Sequence, residues 1–267
     1  MKFLIIVNKE KSNSEKFAKE VVDEIKSHNF SYDFLSDGEP SDKYDVAILI
    51  GGDGTVLTNS IYLARHKLPV FMINTGGLGF LANINKLEDI KSSIQRLIKK
   101  EYDIECRTML HGEVIRGDKK ISEDFAINDV VFRPQNATKT LKISVEVNGE
   151  HISKYVADGF IVSTPTGSTA YNLSAMGAII EPNSEVFSMI PICAHSFNNR
   201  SIIFNDNKVV TISVDSDKQI LSFDGNRIHE LQKNDKIIID KSSDTLNFIS
   251  LDKNNFFKNL KEKIRTI

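Results

Sequence analysis

A turn of three glycines around one aspartate, Gly51-Gly52-Asp53-Gly54, contains the residues of this chain best suited to chemistry. Backbone N–H groups gathered at such a turn before a helix form a seat for an anionic phosphate. The glycines lack a Cβ atom, so the backbone can adopt positive φ or approach a ligand closely. A carboxylate beside a phosphate is costly unless it holds a proton, a metal ion or a substrate hydroxyl. The pattern therefore predicts a phosphate-binding turn, with Asp53 as the candidate for catalysis.

The flanking elements must position this turn. Residues 46–50 form a continuous apolar run, typical of a strand buried on both faces of a parallel sheet. After Thr55, apolar residues return at helical spacing. The motif is neither a P-loop, since no Gly-Lys-Ser/Thr follows, nor the dinucleotide fingerprint, since the glycine spacing differs. Because glycine and aspartate also end strands for purely structural reasons, this stretch alone leaves both interpretations open.

A second glycine turn follows a second apolar strand, residues 70–73, and contains Gly76 and Gly77. In an open α/β sheet such turns gather at the carboxyl ends of the strands, where ligands bind. We therefore expect both turns to face one cleft and to bind a phosphate donor; the alternative is that Gly76 and Gly77 only shape a loop. The predicted donor loop comprises Gly51, Gly52, Gly54, Thr55, Gly76 and Gly77.

Two different domains are indicated by the pattern of the whole chain. Residues 1–102 alternate strands (3–7, 31–35) with helices (Ser12 or Ser14 to about 28, and 87–100), which predicts an α/β domain. Residues 103–252 read mostly as strands, with hairpin turns at 148–149 and 224–225. A last helix over 255–264 is expected to pack back on the first domain, so we assign residues 1–102 and about 253–267 to it. The other predicted strands are 112–116, 130–133, 141–147, 160–163, 209–214, 220–223 and 236–239.

Composition excludes several classes of protein. The 267 residues carry a net charge of -2, which disfavours a nucleic-acid binder. No apolar run approaches the length of a membrane span, so we expect no membrane partner. Two distant cysteines outside any CxxC pattern favour reduced thiols and a cytoplasmic protein. The 6 histidines are scattered without an HExxH motif, so we predict no histidine-built metal site.

Polar residues also cluster in the second domain. Asn128 and Asp129 interrupt an apolar run, and Asp158 precedes a buried strand. A hydroxyl-rich stretch, residues 163–169, then leads into Tyr171, whose ring offers a flat face for a base. Hydroxyls and free N–H groups at a helix start can bind phosphate or ribose. An Asx turn and a helix cap are the structural alternatives, but the density of uncharged donors beside Asp158 favours a polyhydroxylated ligand.

These motifs, in this order, resemble those of the NAD kinases over nearly the whole chain: 51–55, 128–129, 158–159 and 163–171. The glycine–aspartate turn is shared with lipid kinases and phosphofructokinases, whereas the threonine-rich stretch is far more specific. The resemblance implies an N-terminal α/β domain of the NAD kinase/diacylglycerol kinase type, a C-terminal β-sandwich and a returning C-terminal tail. It implies phosphorylation by ATP of the 2′-hydroxyl of the adenosine ribose of NAD, giving NADP. It further implies Mg²⁺ or another divalent cation and a homodimer or homotetramer.

Site residues are carried over from the resemblance by position. Asp53 would be the general base, with Gly54 lining the site; Asn128 and Asp129 would hold the adenosine, and Asp158 the nicotinamide end. The remaining residues implied to contact NAD are Lys139, Thr166, Thr169, Ala170, Tyr171, Asn172, Leu173, Ser174, Asp224 and Asn226.

The chain departs from the family pattern at three positions. Asp129 stands where the family usually has Glu, Val156 where many members have Arg, and Lys139 near where some have Arg. Two other functions remain open from the sequence: a lipid or sugar kinase of the same superfamily, and a dinucleotide-binding regulator without catalysis. The sequence also leaves open whether inorganic polyphosphate serves as a donor beside ATP.

Overall fold

The computed structural model describes residues 1–11, 13–35, 43–76, 79–195, 199–252, 256–257 and 260–261, which divide into two compact units. The first unit comprises Met1–Cys106 and Thr245–Ile267, and the second Arg107–Asp244. No helix among these described residues is both long and apolar enough to span a membrane.

Strands dominate the structure. They are β1 Lys2–Val7, β2 Ser31–Phe34, β3 Val46–Gly51, β4 Val70–Asn74, β5 Asp103–Arg116, β6 Lys119–Ala126, β7 Asp129–Pro134, β8 Leu141–Val147, β9 Glu150–Ala157, β10 Gly159–Ser163, β11 Val186–Ile192, β12 Ile202–Asn205, β13 Val210–Val214, β14 Gln219–Phe223, β15 Arg227–Leu231 and β16 Lys236–Ser250. The helices are α1 Ser14–Ser27, α2 Asp53–Arg65, α3 Ile90–Lys99 and the single turn α4 Tyr171–Ser174, with short 3₁₀ segments at Leu87–Asp89 and Thr166–Thr169.

The first unit contains a parallel sheet in the order β2-β1-β3-β4. Its central strands are buried because their side chains are apolar on both faces. The strands predicted at 3–7, 31–35, 46–50 and 70–73 are all confirmed. The chain moves outward from β1 to β2 and, on the other side, from β3 to β4. The carboxyl ends of β1 and β3 therefore flank the point where the strand order reverses, which is where open α/β sheets bind ligands.

One predicted helix cap is wrong. Helix α1 begins at Ser14 itself, with Asn13 as the residue before it and no side-chain cap. The Ser14 hydroxyl instead lies 3.1 Å from the Thr75 hydroxyl, because the start of α1 is buried beside the end of β4. The other candidate, Ser12, and the predicted loop 37–42 lie outside the described residues.

The second unit is a sandwich of two antiparallel layers, as the fold class predicted. One layer has the order β12-β11-β10-β7-β14-β15; the other contains β9, β8, β13 and the first half of β16. Alternate residues of both layers meet in one apolar core, represented by Phe132, Phe160 and Phe223 from the first layer and Ile143 and Ile212 from the second. The hairpin turns predicted at 148–149 and 224–225 are confirmed by positive φ at all four residues.

The last strand returns to the first unit. β16 is 15 residues long, although the sequence predicts only residues 236–239 as a strand, and Phe248 near its end pairs with Val70 of β4. The returning tail is therefore confirmed, but its described contact is a strand. The predicted helix over 255–264 lies mostly outside the described residues.

Candidate active site

Asp53 begins helix α2, directly after the end of β3. Its Oδ2 atom accepts a hydrogen bond from the backbone N–H of Phe80 at 2.9 Å. Its Oδ1 atom is shielded from solvent and has no hydrogen-bond partner among the described residues. One oxygen thus fixes the carboxylate, while the other keeps its capacity to accept a proton donor. A negative charge at the first turn of a helix is also favoured by the helix dipole.

Two glycines of this region, Gly51 and Gly79, are required by close packing. None of Gly51, Gly52 and Gly54 has positive φ, so the conformational reason for glycine does not apply to them. A Cβ atom at Gly51 would lie 2.3 Å from the Thr55 hydroxyl oxygen, and one at Gly79 would lie 2.1 Å from Asp53 Oδ1. Side chains at these two positions would displace the polar atoms of the turn.

The two predicted glycine turns meet at one edge of the first unit's sheet. Gly51 pairs with Asn74 in register, and the Thr75 N–H donates to the Gly51 carbonyl at 3.0 Å. The Gly76 N–H donates to Asn74 Oδ1 at 2.9 Å. Gly77 lies outside the described residues. The other predicted donor-loop residues differ in exposure, with Gly54 exposed and Thr55 buried.

The hydroxyl-rich stretch 163–169 of the second unit is buried and internally bonded. Thr164 Oγ1 donates to the Ile127 carbonyl at 2.6 Å and accepts the Gly167 N–H at 3.0 Å. Ser168 Oγ donates to the Pro165 carbonyl at 2.6 Å and accepts the Ile180 N–H at 3.0 Å. These hydroxyls therefore shape the loop through protein partners.

Residues 127–129 are held by both this stretch and the β14–β15 turn. The Asn128 carbonyl accepts the Thr164 N–H at 2.9 Å, and the N–H groups of residues 127–129 point to the carboxylate of Asp224 at 2.8–3.3 Å. Asp129 is buried, and burial together with the negative charge of Asp224 raises the pKa of Asp129 to about 7, against a lowering effect of Arg133. Burial likewise raises the pKa of Asp224 despite the backbone hydrogen bonds that it accepts.

The structure does not bring all predicted NAD contacts together within the second unit. Ser163 pairs with Asp129 at one end of β10, whereas Asp158 precedes the other end. About 16 Å of strand separates Asp158 from Ser163, at ~3.3 Å per residue. Lys139 is exposed and follows β7, on the side of Asp158.

The predicted residues after the loop have unequal environments. Asn172 is fully buried, and its amide contacts the carbonyls of Ser168 and Ala178 and the hydroxyl of Ser188. The Tyr171 ring lies against the outer face of the six-stranded layer, with Arg133 Cζ 4.7 Å from its centroid. The others are partly or fully exposed: Thr169, Ala170, Leu173, Ser174 and Asn226, whereas Thr166 is buried.

Several residues of the site were missed from the sequence. Arg133 lies on the face of Asp129, which the two-residue period of a strand could have indicated. Arg227 forms ion pairs with both Asp124 and Asp224, which are 100 residues apart in the chain. A local sequence pattern does not predict a contact between such distant residues. Phe80 contributes its backbone N–H, a group that every non-proline residue has.

Among the described residues, one group has the spacing of metal ligands: His111, Glu113 and Glu123. The ammonium group of Lys120 already contacts both glutamates, and His111 Nδ1 is bonded to Asp240 at 2.9 Å. This cluster is therefore a surface ion-pair network that supplies its own cation.

Two family models match the chain. The ATP-NAD kinase N-terminal domain matches residues 6–102, and the ATP-NAD kinase C-terminal domain matches residues 127–251. The NAD kinase of Lachnoclostridium phytofermentans is 35% identical over 282 residues, covering 98% of each chain. The NAD kinase of Clostridium botulinum (Type A) is 41% identical over 231 residues, covering 85% of this chain and 81% of its own.

Two solved structures share the fold. Yeast NADH kinase complexed with NADH superposes with a TM-score of 0.86 and 23% identity, over 99% of this chain and 87% of its own. An NAD kinase from Archaeoglobus fulgidus in complex with ATP gives a TM-score of 0.80 and 24% identity, over the full length of both chains.

Proposed function

This chain belongs to the ATP-NAD kinase family, and from that premise we propose how its residues phosphorylate NAD. The protein is an NAD kinase, an enzyme that transfers a phosphoryl group from ATP to NAD. We propose that the acceptor is the 2′-hydroxyl of the adenosine ribose and that Asp53 accepts its proton. No observation favours a lipid kinase, a sugar kinase or a regulator without catalysis.

The Asp53 carboxylate is the observation that supports this role. The Phe80 N–H fixes Oδ2, while Oδ1 lacks a partner among the described residues and is shielded from water. A desolvated carboxylate oxygen gains a hydrogen bond when a substrate hydroxyl supplies one. The reaction then balances simply: the hydroxyl proton moves to Asp53, the ribose oxygen bonds the γ-phosphorus, and ADP leaves with the bridging oxygen.

The edge formed by the two glycine turns is proposed to bind the phosphate donor. Phosphoryl transfer depends mainly on positioning and on neutralising charge. A divalent cation, which we propose is Mg²⁺, supplies much of that neutralisation when bound. Oxygen ligands suit this cation, and the oxygens without a partner among the described residues here are Asp53 Oδ1 and Thr55 Oγ1. Because Asp53 Oδ1 is proposed to accept the proton of the acceptor hydroxyl, Thr55 is the residue that would hold the cation.

The second unit is proposed to bind NAD through Asn128 and Asp129. The bonded network of residues 163–169 and the carboxylate of Asp224 fix the backbone of this pair, so little ordering is needed when the adenosine binds. Asp158 and Lys139 lie toward the other end of β10 and are proposed to contact the nicotinamide half. The half-buried Tyr171 ring and the other residues of 166–174 are proposed to line the adenine and phosphates.

The setting of the enzyme is part of the proposal. Both cysteines, Cys106 and Cys193, are free and exposed, which supports a reducing, cytoplasmic compartment. We propose a homodimer or homotetramer, as the resemblance to the NAD kinases implies. Light scattering on the purified protein measures the subunit count, and a monomer would contradict this part.

The decisive experiment is an NADP assay with NAD, ATP and Mg²⁺, repeated with inorganic polyphosphate as donor. Asp53→Asn is expected to lower turnover by about 10²–10⁴-fold, the usual contribution of a positioned base, while NAD still binds in calorimetry. Asp45→Asn is the matched control, because Asp45 precedes the same strand and its side chain accepts a hydrogen bond from the Lys2 N–H at 2.7 Å. Unchanged turnover in Asp53→Asn would remove Asp53 from the mechanism; NAD binding without NADP from the wild type would favour a regulator.

A further inference from the structure

Asp224 is the first residue of the turn between β14 and β15. Its φ is 51°, in the left-handed region that Asp adopts more readily than most residues and that Asp-Gly hairpin turns use. The turn directs its buried carboxylate toward residues 127–129, which lead into β7 about 95 positions earlier in the chain. Asp224 thus belongs to a hairpin turn and also contacts a distant part of the chain.

The carboxylate of Asp224 is saturated by protein donors. Oδ1 accepts the N–H groups of Asn128 at 2.8 Å and Asp129 at 3.3 Å, and Oδ2 accepts the Ile127 N–H at 3.0 Å and Arg227 Nη2 at 3.1 Å. Four donors use about all the lone-pair sites of a carboxylate. The bonding is also reciprocal, because the Asp224 N–H donates to the Asp129 carbonyl at 3.0 Å. No oxygen of Asp224 is left for a substrate.

We propose that Asp224 is a positioning residue, which holds the backbone of residues 127–129 so that Asn128 and Asp129 meet the adenosine of NAD, and that it does not contact the dinucleotide. The proposal rests on the proposed function, since it assigns NAD binding to Asn128 and Asp129. It replaces the substrate contact that the sequence resemblance implies for Asp224.

Arg227, which pairs with the Asp224 carboxylate, is itself held by a second ion pair with Asp124. Arg227 Nη2 also donates to the Phe125 carbonyl at 2.7 Å, and Arg227 Nε lies 2.9 Å from Asp124 Oδ1. The charge of Asp224 is therefore both paired and hydrogen-bonded, the condition under which a buried carboxylate is tolerated. Asn cannot replace it, because an amide offers one oxygen and turns its NH₂ group toward donors.

The test compares Asp224→Asn with Asp235→Asn in the full-length protein. Asp235 is a matched control: its side chain is equally buried, and it is bonded by Arg116 at 2.7 and 2.8 Å and by the Gln232 N–H at 2.8 Å. Both variants are expected to lower the melting temperature. Only Asp224→Asn is expected to raise the KM for NAD, by at least tenfold, with the KM for ATP unchanged. Wild-type enzyme that makes no NADP would refute the proposed function, a result distinct from any outcome of this comparison.

Two further measurements keep the proposal falsifiable. Hydrogen exchange at the amides of residues 127–129 is expected to quicken in Asp224→Asn and to stay slow in Asp235→Asn. Arg227→Gln removes one donor from Asp224, so it is expected to raise the KM for NAD less strongly. If Asp224→Asn does not fold, this variant tests the proposal in its place. A KM for NAD that rises equally in both aspartate variants, or remains unchanged in Arg227→Gln, would overturn the proposal.

Discussion

Two regions of this molecule differ in whether their buried polar atoms are hydrogen-bonded. In the second unit, Thr164, Ser168 and Asn172 are buried, and each side chain is bonded to protein groups. At the end of β3 in the first unit, Asp53 Oδ1 and Thr55 Oγ1 are equally shielded from solvent but have no partner among the described residues. Both regions were singled out in the sequence by the same kinds of residues: glycines, hydroxyls and a carboxylate.

The difference separates two tasks. A buried polar atom without a hydrogen bond costs about 1–3 kcal/mol, so it is rarely retained without a reason. At Asp53 and Thr55 we propose that the reason is a reacting or binding group supplied by the substrates. The Thr164 and Ser168 hydroxyls of the stretch 163–169 are bonded within the protein, and we propose that they fix the shape of the loop against which NAD binds. Variants that shift the first region should therefore change turnover, and variants in the second should change stability and NAD affinity.

The largest effect is expected from Gly167→Ala. A Cβ at this position would lie 2.0 Å from the Asn128 carbonyl oxygen and 2.5 Å from its carbon, and neither backbone atom can move aside cheaply. Overpacking costs about 1–3 kcal/mol and occasionally more, and we expect the upper end here because residues 127–129 must be displaced. Urea unfolding measures the loss.

Gly112→Ala sharpens that result. Its Cβ would meet ring atoms of Phe223 at 2.7 Å, and a ring can shift where a carbonyl cannot. We expect a smaller loss of stability than in Gly167→Ala. If both variants lose the same free energy of unfolding, the Asn128 backbone shifts as easily as the Phe223 ring does.

The next effect is expected from Gly79→Ala, which tests the first region. The new Cβ would lie 2.1 Å from Asp53 Oδ1, so the carboxylate must rotate away from the Phe80 N–H. Misplacement of a reacting group by about 1 Å can lower turnover by ~10²-fold. The measurement is a double-mutant cycle: in the Asp53→Asn background, Gly79→Ala should add little. Additive losses would show that Gly79 acts independently of Asp53.

The sequence predicts the fold well where side-chain periodicity is strong. The runs 3–7, 46–50 and 70–73 are strands because continuous apolar residues suit a sheet covered on both faces. The long strand β16 was missed beyond residue 239 because polar residues such as Asp240, Lys241 and Ser242 interrupt its pattern. Pairing with β13 and later with β4 gives this stretch its strand conformation, and such distant partners are not visible locally.

The sequence predicted the residues of the candidate site, but it did not predict their hydrogen-bond partners. The glycine turn predicted Asp53 as the reacting acid, and the resemblance implied Asp224 as a substrate contact, yet of the two only Asp53 retains an oxygen without a partner among the described residues. The distinction depends on backbone N–H groups from residues 80 and 127–129, and every sequence supplies such groups at nearly all positions. The resemblance implied the activity, whereas the hydrogen bonds support the proposal that Asp53 reacts and Asp224 positions.

A pH dependence of a few kcal/mol is expected from Asp129. Its pKa is raised to about 7 in the folded chain, chiefly by burial and next by Asp224, against 3.8 as reference. Between about pH 4 and 7 the folded state keeps a proton that the unfolded state has released. This group therefore removes stability as the pH rises through that window, and the penalty is constant above it.

Asp129→Asn should abolish this penalty, since the amide stays neutral. Its unfolding free energy relative to wild type should rise between pH 4 and pH 8, as urea titrations at several pH values can measure. Asp235→Asn should show the opposite trend, but below about pH 4: burial tends to raise the pKa of Asp235, yet the bonds from Arg116 and Gln232 hold it below its usual value of 3.8, so its stabilisation is lost as the pH falls through that region. If Asp129→Asn raises the free energy of unfolding equally at pH 4 and pH 8, the pKa of Asp129 is not raised in the folded protein.

The smallest effect on stability is expected from Thr55→Val, and it tests the comparison most directly. Valine has nearly the shape of threonine, so the substitution removes only the hydroxyl. Because Thr55 Oγ1 has no partner among the described residues, the unfolding free energy should change by less than about 0.5 kcal/mol, or rise. Thr164→Val is the matched control: it leaves the Gly167 N–H without its acceptor and should cost about 1–3 kcal/mol.

The effects on the KM for ATP should be the reverse of the effects on stability: large for Thr55→Val and small for Thr164→Val. If the Thr55 hydroxyl meets the phosphate donor, Thr55→Val raises the KM for ATP while the protein stays as stable as wild type. Thr164→Val should leave the KM for ATP unchanged, because its hydroxyl contacts only Ile127 and Gly167 among the bonds seen. Should Thr55→Val lose as much stability as Thr164→Val, its hydroxyl must have a partner within the folded chain. The first region would then be as self-contained as the second, and the physical case for chemistry at Asp53 would depend on the carboxylate oxygen alone.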